Sequence, residues 1–325
     1  MNSVWQPSIT LINLKQRAEI YSKIREFFSV RGVMEVETPV LSQATVTDPY
    51  LQSLTTLCCV PGVHEAKIFY LQTSPEFAMK RLLAAGSGPI YQIAKAFRFD
   101  PRGKLHNPEF TLLEWYRPGF THGDLMIEVD ALLRRVLTCE VAQCQSYGEL
   151  FQRYCQIDPY HATLGQLKAC ALQHGLDVHH AEQINDVTSW LHLLMLHLIE
   201  PHLGQNNRPT FVTDFPAQQA ALAKINPGPP ATAERFEVYW RGMELANGFH
   251  ELCDVQEQRQ RFVADNLWRQ QSGLPQIVPD ENFLAALDHG LPDCAGVALG
   301  LDRLMMAAFQ QNDIADVLTF PIERA

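Results

Sequence analysis

The sequence predicts an α+β fold. Three observations carry that expectation: amphipathic stretches of helical period that open on cap residues, two long runs of strand-forming residues that double back around turns, and a small apolar strand that runs directly into a helix. A chain of 325 residues with 46% hydrophobic content can bury a core that needs no disulfide or metal staple. The eight cysteines are scattered without a C-x-x-C pair, which suits reduced thiols in a cytoplasmic protein. No basic and apolar leader opens the chain and no run reaches membrane-spanning length, so neither secretion nor a membrane is expected. With 36 acidic against 26 basic residues the net charge is −10, which opposes broad binding to a phosphate backbone. A local basic pocket from Arg98, Arg102, Lys104 and Arg117 still suits a mononucleotide.

Each element follows from its residues. Asn13 with Gln16 reads as a capping box, and Ile20, Ile24, Phe27 and Phe28 recur at helical spacing until Gly32 closes the helix. Residues 33–39 alternate apolar and charged and stop at Pro39, which predicts a short strand. Ser74, Pro75 and Glu76 supply an N-cap, a proline for the first helical position and an acid for the first turn of a helix that runs to Gly86. Residues 90–98 and 110–117 predict a long antiparallel hairpin. Its turn gathers Arg98, Arg102, Lys104 and His106. The returning strand brings Phe110, Glu114 and Tyr116: a planar guanidinium for a phosphate, a ring for a purine and a carboxylate for an ammonium.

Thr121 and Asp124 cap a further helix. Residues 140–208 read as helical, and His161, His174, His179, His180, His192 and His197 lack the spacing or acidic company of a metal site. The prolines and glycine of 227–230 mark a loop. Residues 235–252 predict two strands joined near Arg241 and Gly242. Glu244 and Glu251 are an odd number of residues apart, so they share a face only across a bulge, for which Gly248 is the candidate. After Cys294 comes a small apolar strand with Gly296 and Gly300. A helix then begins near Leu301, and Arg303 in its first turn can reach a phosphate.

Taken in order, residues 32–39, 98–114 and 296–303 resemble motifs 1, 2 and 3 of class II aminoacyl-tRNA synthetases. TSPEFAMKRL at 73–82, HNPEFTLLEWY at 106–116 and ELANGFHEL at 244–252 resemble the lysyl branch, and the likeness covers 15–310. The resemblance implies the class II aminoacyl-tRNA synthetase catalytic fold, a six-stranded antiparallel sheet flanked by helices and a homodimer formed through motif 1. It implies a single domain over 1–325 with a helical insertion at about 140–208. Only about thirty residues precede motif 1, so no anticodon-binding domain and no tRNA partner are expected. That architecture is similar to the stand-alone lysyl-tRNA synthetase paralogues that modify bacterial translation elongation factor P. It implies ATP-dependent activation of (R)-β-lysine as an adenylate and transfer to a lysine ε-amine of that factor. The alternatives are a truncated synthetase charging tRNA, a non-catalytic regulatory paralogue and a ligase making a free amide.

The same resemblance implies roles residue by residue. Arg98 bridges the substrate carboxylate and the α-phosphate, and Arg303 binds the γ-phosphate with His106 near it. Phe99, Asp100, Asn107, Phe110, Leu245 and Gly300 complete the ATP site, and Glu244 coordinates Mg²⁺. Glu251 pairs with the ε-ammonium with help from Tyr116, Glu76 meets the other amino group, and Ser74, Pro75, Glu114, Asn247 and Ala298 line the amino-acid pocket. Two positions depart from lysyl-tRNA synthetases. Phe99 and Asp100 stand where Asn and Glu are usual. Ala298 replaces a glycine, and its methyl group disfavours an α-amino group.

Overall fold

A computed structural model describes residues 5–59, 66–176 and 184–325; His179 and His180 lie outside the described residues. The chain, expected as one domain, divides into two compact units: Met1–Phe120 with Leu252–Ala325, and Thr121–Glu251.

The first unit opens with α1 (Leu11–Ser29), which buries Ile20, Ile24, Phe27 and Phe28 as the periodicity requires. Its cap is Thr10 rather than Asn13. Thr10 is extended and its hydroxyl accepts the Asn13 N–H at 3.1 Å. Gly32, at φ +65°, turns the chain into β1 (Met34–Glu35). This strand is shorter than the expected 33–39: beyond it the Val36 N–H still donates to Tyr91 O at 2.9 Å, and then the Thr38 hydroxyl donates to the Gln92 side chain at 2.9 Å. β2 (Leu41–Ser42), β3 (Thr55–Cys58) and β4 (Lys67–Leu71) make a small antiparallel sheet in the order β2-β4-β3. α2 (Glu76–Ala84) then leads to β5 (Ile90–Phe97) and β6 (Glu109–Pro118), the hairpin legible in the sequence, paired from Ile90↔Tyr116 to Phe97↔Glu109.

The second unit begins with α3 (His122–Leu137), whose Thr121–Asp124 capping box is present as expected. The stretch expected to be helical opens instead with a strand, β7 (Gln143–Ser146), before α4 (Tyr147–Cys155), α5 (Leu164–Gln173) and α6 (Val187–Leu194). Tyr147, Phe151, Trp190 and Leu194 from these helices form a core with Val212 and Phe215. β8 (Thr210–Pro216), β9 (Ile225–Asn226), β10 (Thr232–Trp240) and β11 (Met243–His250) follow. Their order is β11-β10-β8-β7, with β9 on β10. Residues 227–230 form the loop between β9 and β10, and Arg241 and Gly242, both at positive φ, make the tight turn between β10 and β11.

The chain then completes the first unit with α7 (Val255–Gln271), α8 (Glu281–Gly290), β12 (Cys294–Gly300) and α9 (Leu301–Phe309), where strand passes directly into helix as expected. β12 runs antiparallel to β6, so this unit carries β1-β5-β6-β12. The expectation of six antiparallel strands is corrected. Besides the three strands of the small sheet, the described residues hold nine sheet strands, four in the first unit and five in the second, and β1 with β5 and β7 with β8 pair in parallel. Short edge strands such as the two-residue β1 and β9 carry too few residues for alternation to show.

Candidate active site

In the first unit, β6 presents Phe110, Glu114 and Tyr116 on one face, since alternate residues of a strand point the same way. Their partners across the sheet are large on one side and small on the other: Ile90 and Gln92 of β5 lie beside Tyr116 and Glu114, whereas β12 sets Gly296 beside Tyr116 and Ala298 beside Glu114, and Ala96 lies beside Phe110. The glycine and alanine of β12 leave the backbone on that side open to close approach. Glu114 is 1% exposed, and the Tyr116 hydroxyl donates to its Oε1 at 2.7 Å. A buried carboxylate held this way is a receptor for a cation.

At the end of the hairpin, the Arg98 N–H donates to Pro108 O at 3.0 Å, and its guanidinium lies 5.1 Å from the Phe110 ring. Arg303, on the first turn of α9, sets Nη2 3.0 Å from His106 Nε2 in the turn of the β5–β6 hairpin. The basic pocket is narrower than expected: Arg102 is committed to Asp313 at 2.7 Å and Glu323 at 2.8 Å, and Arg117 lies 4.6 Å over Phe120. Asn107 is buried, with Nδ2 donating to Glu109 O at 2.6 Å and Oδ1 accepting from the Ile322 N–H at 3.1 Å. Phe99 is exposed at 61% and its N–H donates to Gln52 O at 2.8 Å, while Asp100 is half-buried.

Pro75, not Ser74, is the cap residue of α2, because the Ser74 hydroxyl reaches only the Glu76 N–H, at 3.4 Å. Glu76 Oε1 accepts from Lys80 Nζ at 2.6 Å, with Lys80 buried beneath it. Sequence reading missed Lys80 and also Asp302. The Asp302 carboxylate, 2% exposed, takes Arg17 Nη2 and the Thr111 N–H, each at 2.7 Å, and so ties α9 to α1 and β6. Its signal was an acid inside the buried face of a helix.

In the second unit β11 carries Glu244, Leu245 and Asn247, with Glu251 just beyond its end. The expected bulge exists but not at Gly248. Val238 pairs with Ala246 and Tyr239 with Glu244, so Leu245 is the extra residue. The slip of one puts Glu244, Asn247 and Phe249 on one face, all half-buried, and continues it to Glu251, 1% exposed and bridged through its backbone to Ala223. Gly248 serves packing instead, for a Cβ there would lie 2.3 Å from Phe236 Cζ. Arg235 Nε donates to Asn247 Oδ1 at 3.2 Å, and its Nη2 is paired closely with Glu237. Burial pushes the Glu237 carboxyl up, Arg235 opposes that, and Glu244 adds to it. Glu237 is already committed, its Oε2 accepting from the Tyr239 hydroxyl at 2.6 Å, so of the two carboxylates Glu244 is the one whose oxygens suit a hard cation such as Mg²⁺.

The chain matches the family model described as tRNA synthetases class II (D, K and N) over residues 8–324. It is 53% identical over 322 residues, 99% of this chain and 98% of the relative, to a protein of Edwardsiella ictaluri named "Elongation factor P--(R)-beta-lysine ligase". Proteins of the same name from Pectobacterium carotovorum subsp. carotovorum and Salmonella paratyphi B are 52% and 51% identical, over 99% of this chain and 98% and 99% of theirs.

Proposed function

The chain belongs to the class II tRNA synthetases (D, K and N), and from that membership we propose that it is an ATP-dependent, AMP-forming ligase that activates (R)-β-lysine and transfers it to a lysine of translation elongation factor P. The observation that carries the reading is the full-length likeness, at half identity, to relatives bearing that ligase name. The buried Glu114–Tyr116 pair supports it, since the ammonium groups of a lysine-like substrate need buried carboxylates to be desolvated.

In the first step the amino-acid carboxylate attacks the α-phosphorus of ATP and pyrophosphate leaves. In the second the acceptor ε-amine attacks the acyl carbon, AMP leaves and a proton is released. Positioning and charge stabilisation carry the first step. Arg98 spans the carboxylate and the α-phosphate, and its loss costs about 3–4 kcal/mol of barrier, the usual worth of one such donor. Arg303, braced by His106, holds the γ-phosphate. Phe110, Asn107, Phe99, Asp100, Leu245 and Gly300 serve ATP. Glu251, Glu114, Tyr116, Glu76, Ser74, Pro75, Asn247 and Ala298 serve the amino acid. Glu244 would hold Mg²⁺, which would supply charge neutralisation to the phosphates.

The acceptor in this reading is a protein and not tRNA, in keeping with the net charge of −10. A homodimer through motif 1 is supported by Val30, Met34 and Leu41, which are exposed at 73%, 51% and 42%. No helix among the described residues is long and apolar enough to cross a membrane, and the eight free cysteines suit a reducing cytoplasm. Amino-acid-dependent exchange of pyrophosphate into ATP tests the first step. (R)-β-lysine should drive it and asparagine should not; exchange absent with every lysine isomer would overturn the reading.

A further inference from the structure

On the face of β11 opposite Glu251, His250 sits between a cation and an anion. Lys224 Nζ lies 3.1 Å from His250 Nε2, and His250 Nδ1 is 2.5 Å from Glu234 Oε2. A lysine ammonium has donors and no acceptor, so Nε2 must accept; the imidazole proton is therefore on Nδ1 and goes to the Glu234 carboxylate. The main chain repeats the connection. The Lys224 N–H donates to His250 O at 2.8 Å, the Glu234 N–H donates to Lys224 O at 2.9 Å, and Ala223 bridges Glu251 in antiparallel fashion. Lys224 thus holds both the side chain and the carbonyl of the residue next to Glu251.

His122, on the first turn of α3, completes the group, with Nδ1 3.9 Å from the same Glu234 oxygen. Burial holds its imidazole below the ordinary pKa, despite the pull of Glu234. Ligand atoms of His122, Glu234 and His250 lie within 4.8 Å of one another. A metal is nevertheless disfavoured, because one His250 nitrogen faces an ammonium and the other carries the proton. The arrangement instead fixes a backbone. Consecutive strand residues point to opposite faces, so whatever fixes the rotation of the chain at His250 also aims Glu251.

We propose that Lys224, His250 and Glu234 are positioning residues for Glu251, a clamp on the rear of the sheet that sets affinity for the amino-acid ammonium. This rests on the reading that Glu251 receives that ammonium. The pair of charges around a neutral imidazole gives the clamp directional hydrogen bonds that apolar packing lacks.

The test is pyrophosphate exchange with KM measured separately for (R)-β-lysine and for ATP. Lys224→Met and Glu234→Ala should raise the amino-acid KM about ten- to hundredfold, the usual effect of losing a hydrogen bond to a charged group. The KM for ATP should stay unchanged. Lys224→Arg and Glu234→Gln, which keep a donor and an acceptor respectively, should restore most of the affinity. Glu251→Gln separates the two ideas. If it raises the amino-acid KM while Lys224→Met and Glu234→Ala do not, the clamp is wrong and the reading of Glu251 stands. If Glu251→Gln itself leaves that KM unchanged, the reading of Glu251 fails and the clamp with it. Equal losses of affinity for both substrates, or a loss tracking the melting temperature, would make the network merely structural and overturn the proposal.

Discussion

Ala298 lies directly across from Glu114 in the β12–β6 register, so its methyl group stands on the same face as the buried carboxylate. In the proposed reading, that methyl would meet an α-amino group as it approached Glu114. Ala298→Gly is therefore expected to raise use of α-lysine relative to (R)-β-lysine on the order of tenfold, the usual reach of a methyl-sized change. Adenylate formation with the two isomers checks this, and an unchanged ratio removes Ala298 from specificity. Asp302 acts through stability instead. Burial alone would lower the Arg17 pKa, yet Asp302 and Tyr21 more than reverse it. Asp302→Ala strands that guanidinium and the Thr111 N–H. It should cost about 3–5 kcal/mol, the range for breaking a buried ion pair, read as a lower urea midpoint. A midpoint shift under about 1 kcal/mol would show that water replaces the carboxylate.

At the scale of elements, the β10–β11 hairpin does the most for the site, because its bulge at Leu245 brings Glu244 and Asn247 to one face. Gly248 lets the tip of the buried Phe236 ring come close against the strand. Gly248→Ala should destabilise the protein by about 1–3 kcal/mol, as overpacking does, and scanning calorimetry reads it directly. A wild-type melting curve would mean that the ring has room to move. The same hairpin shows what the sequence could tell. The odd spacing of Glu244 and Glu251 demanded a bulge, and glycine was the natural candidate, but a bulge at Leu245 needs no special residue and left no mark. The β5–β6 hairpin, α3 with its capping box and the passage from β12 into α9 were legible because cap chemistry and alternation are local. The small sheet β2-β4-β3 and the strand β7 were not, since strands of two to five residues of mixed polarity hold their place by long-range pairing. Within the site, Arg98, Arg303 and Glu114 stood out by chemistry and motif. Lys80 and Asp302 act beneath it, and only burial reveals them.

At the scale of the whole molecule, Val30, Met34 and Leu41 leave apolar side chains exposed in and next to residues 32–39. Met34 lies on the strand that follows α1, half exposed beside Val30. If motif 1 builds a homodimer, Met34→Asp should give a monomer by light scattering with an unchanged circular dichroism spectrum; persistence of the dimer would place the interface elsewhere. The acceptor is what separates the proposed ligase from a tRNA-charging enzyme. The most direct measurement supplies the purified protein with ATP and (R)-β-lysine, offers elongation factor P and lysine tRNA in parallel, and reads intact mass and aminoacylation. The proposed function predicts release of AMP and a gain of one β-lysyl group on a lysine of elongation factor P, with the tRNA uncharged. Charging of the tRNA with no mass gain on the factor would contradict it.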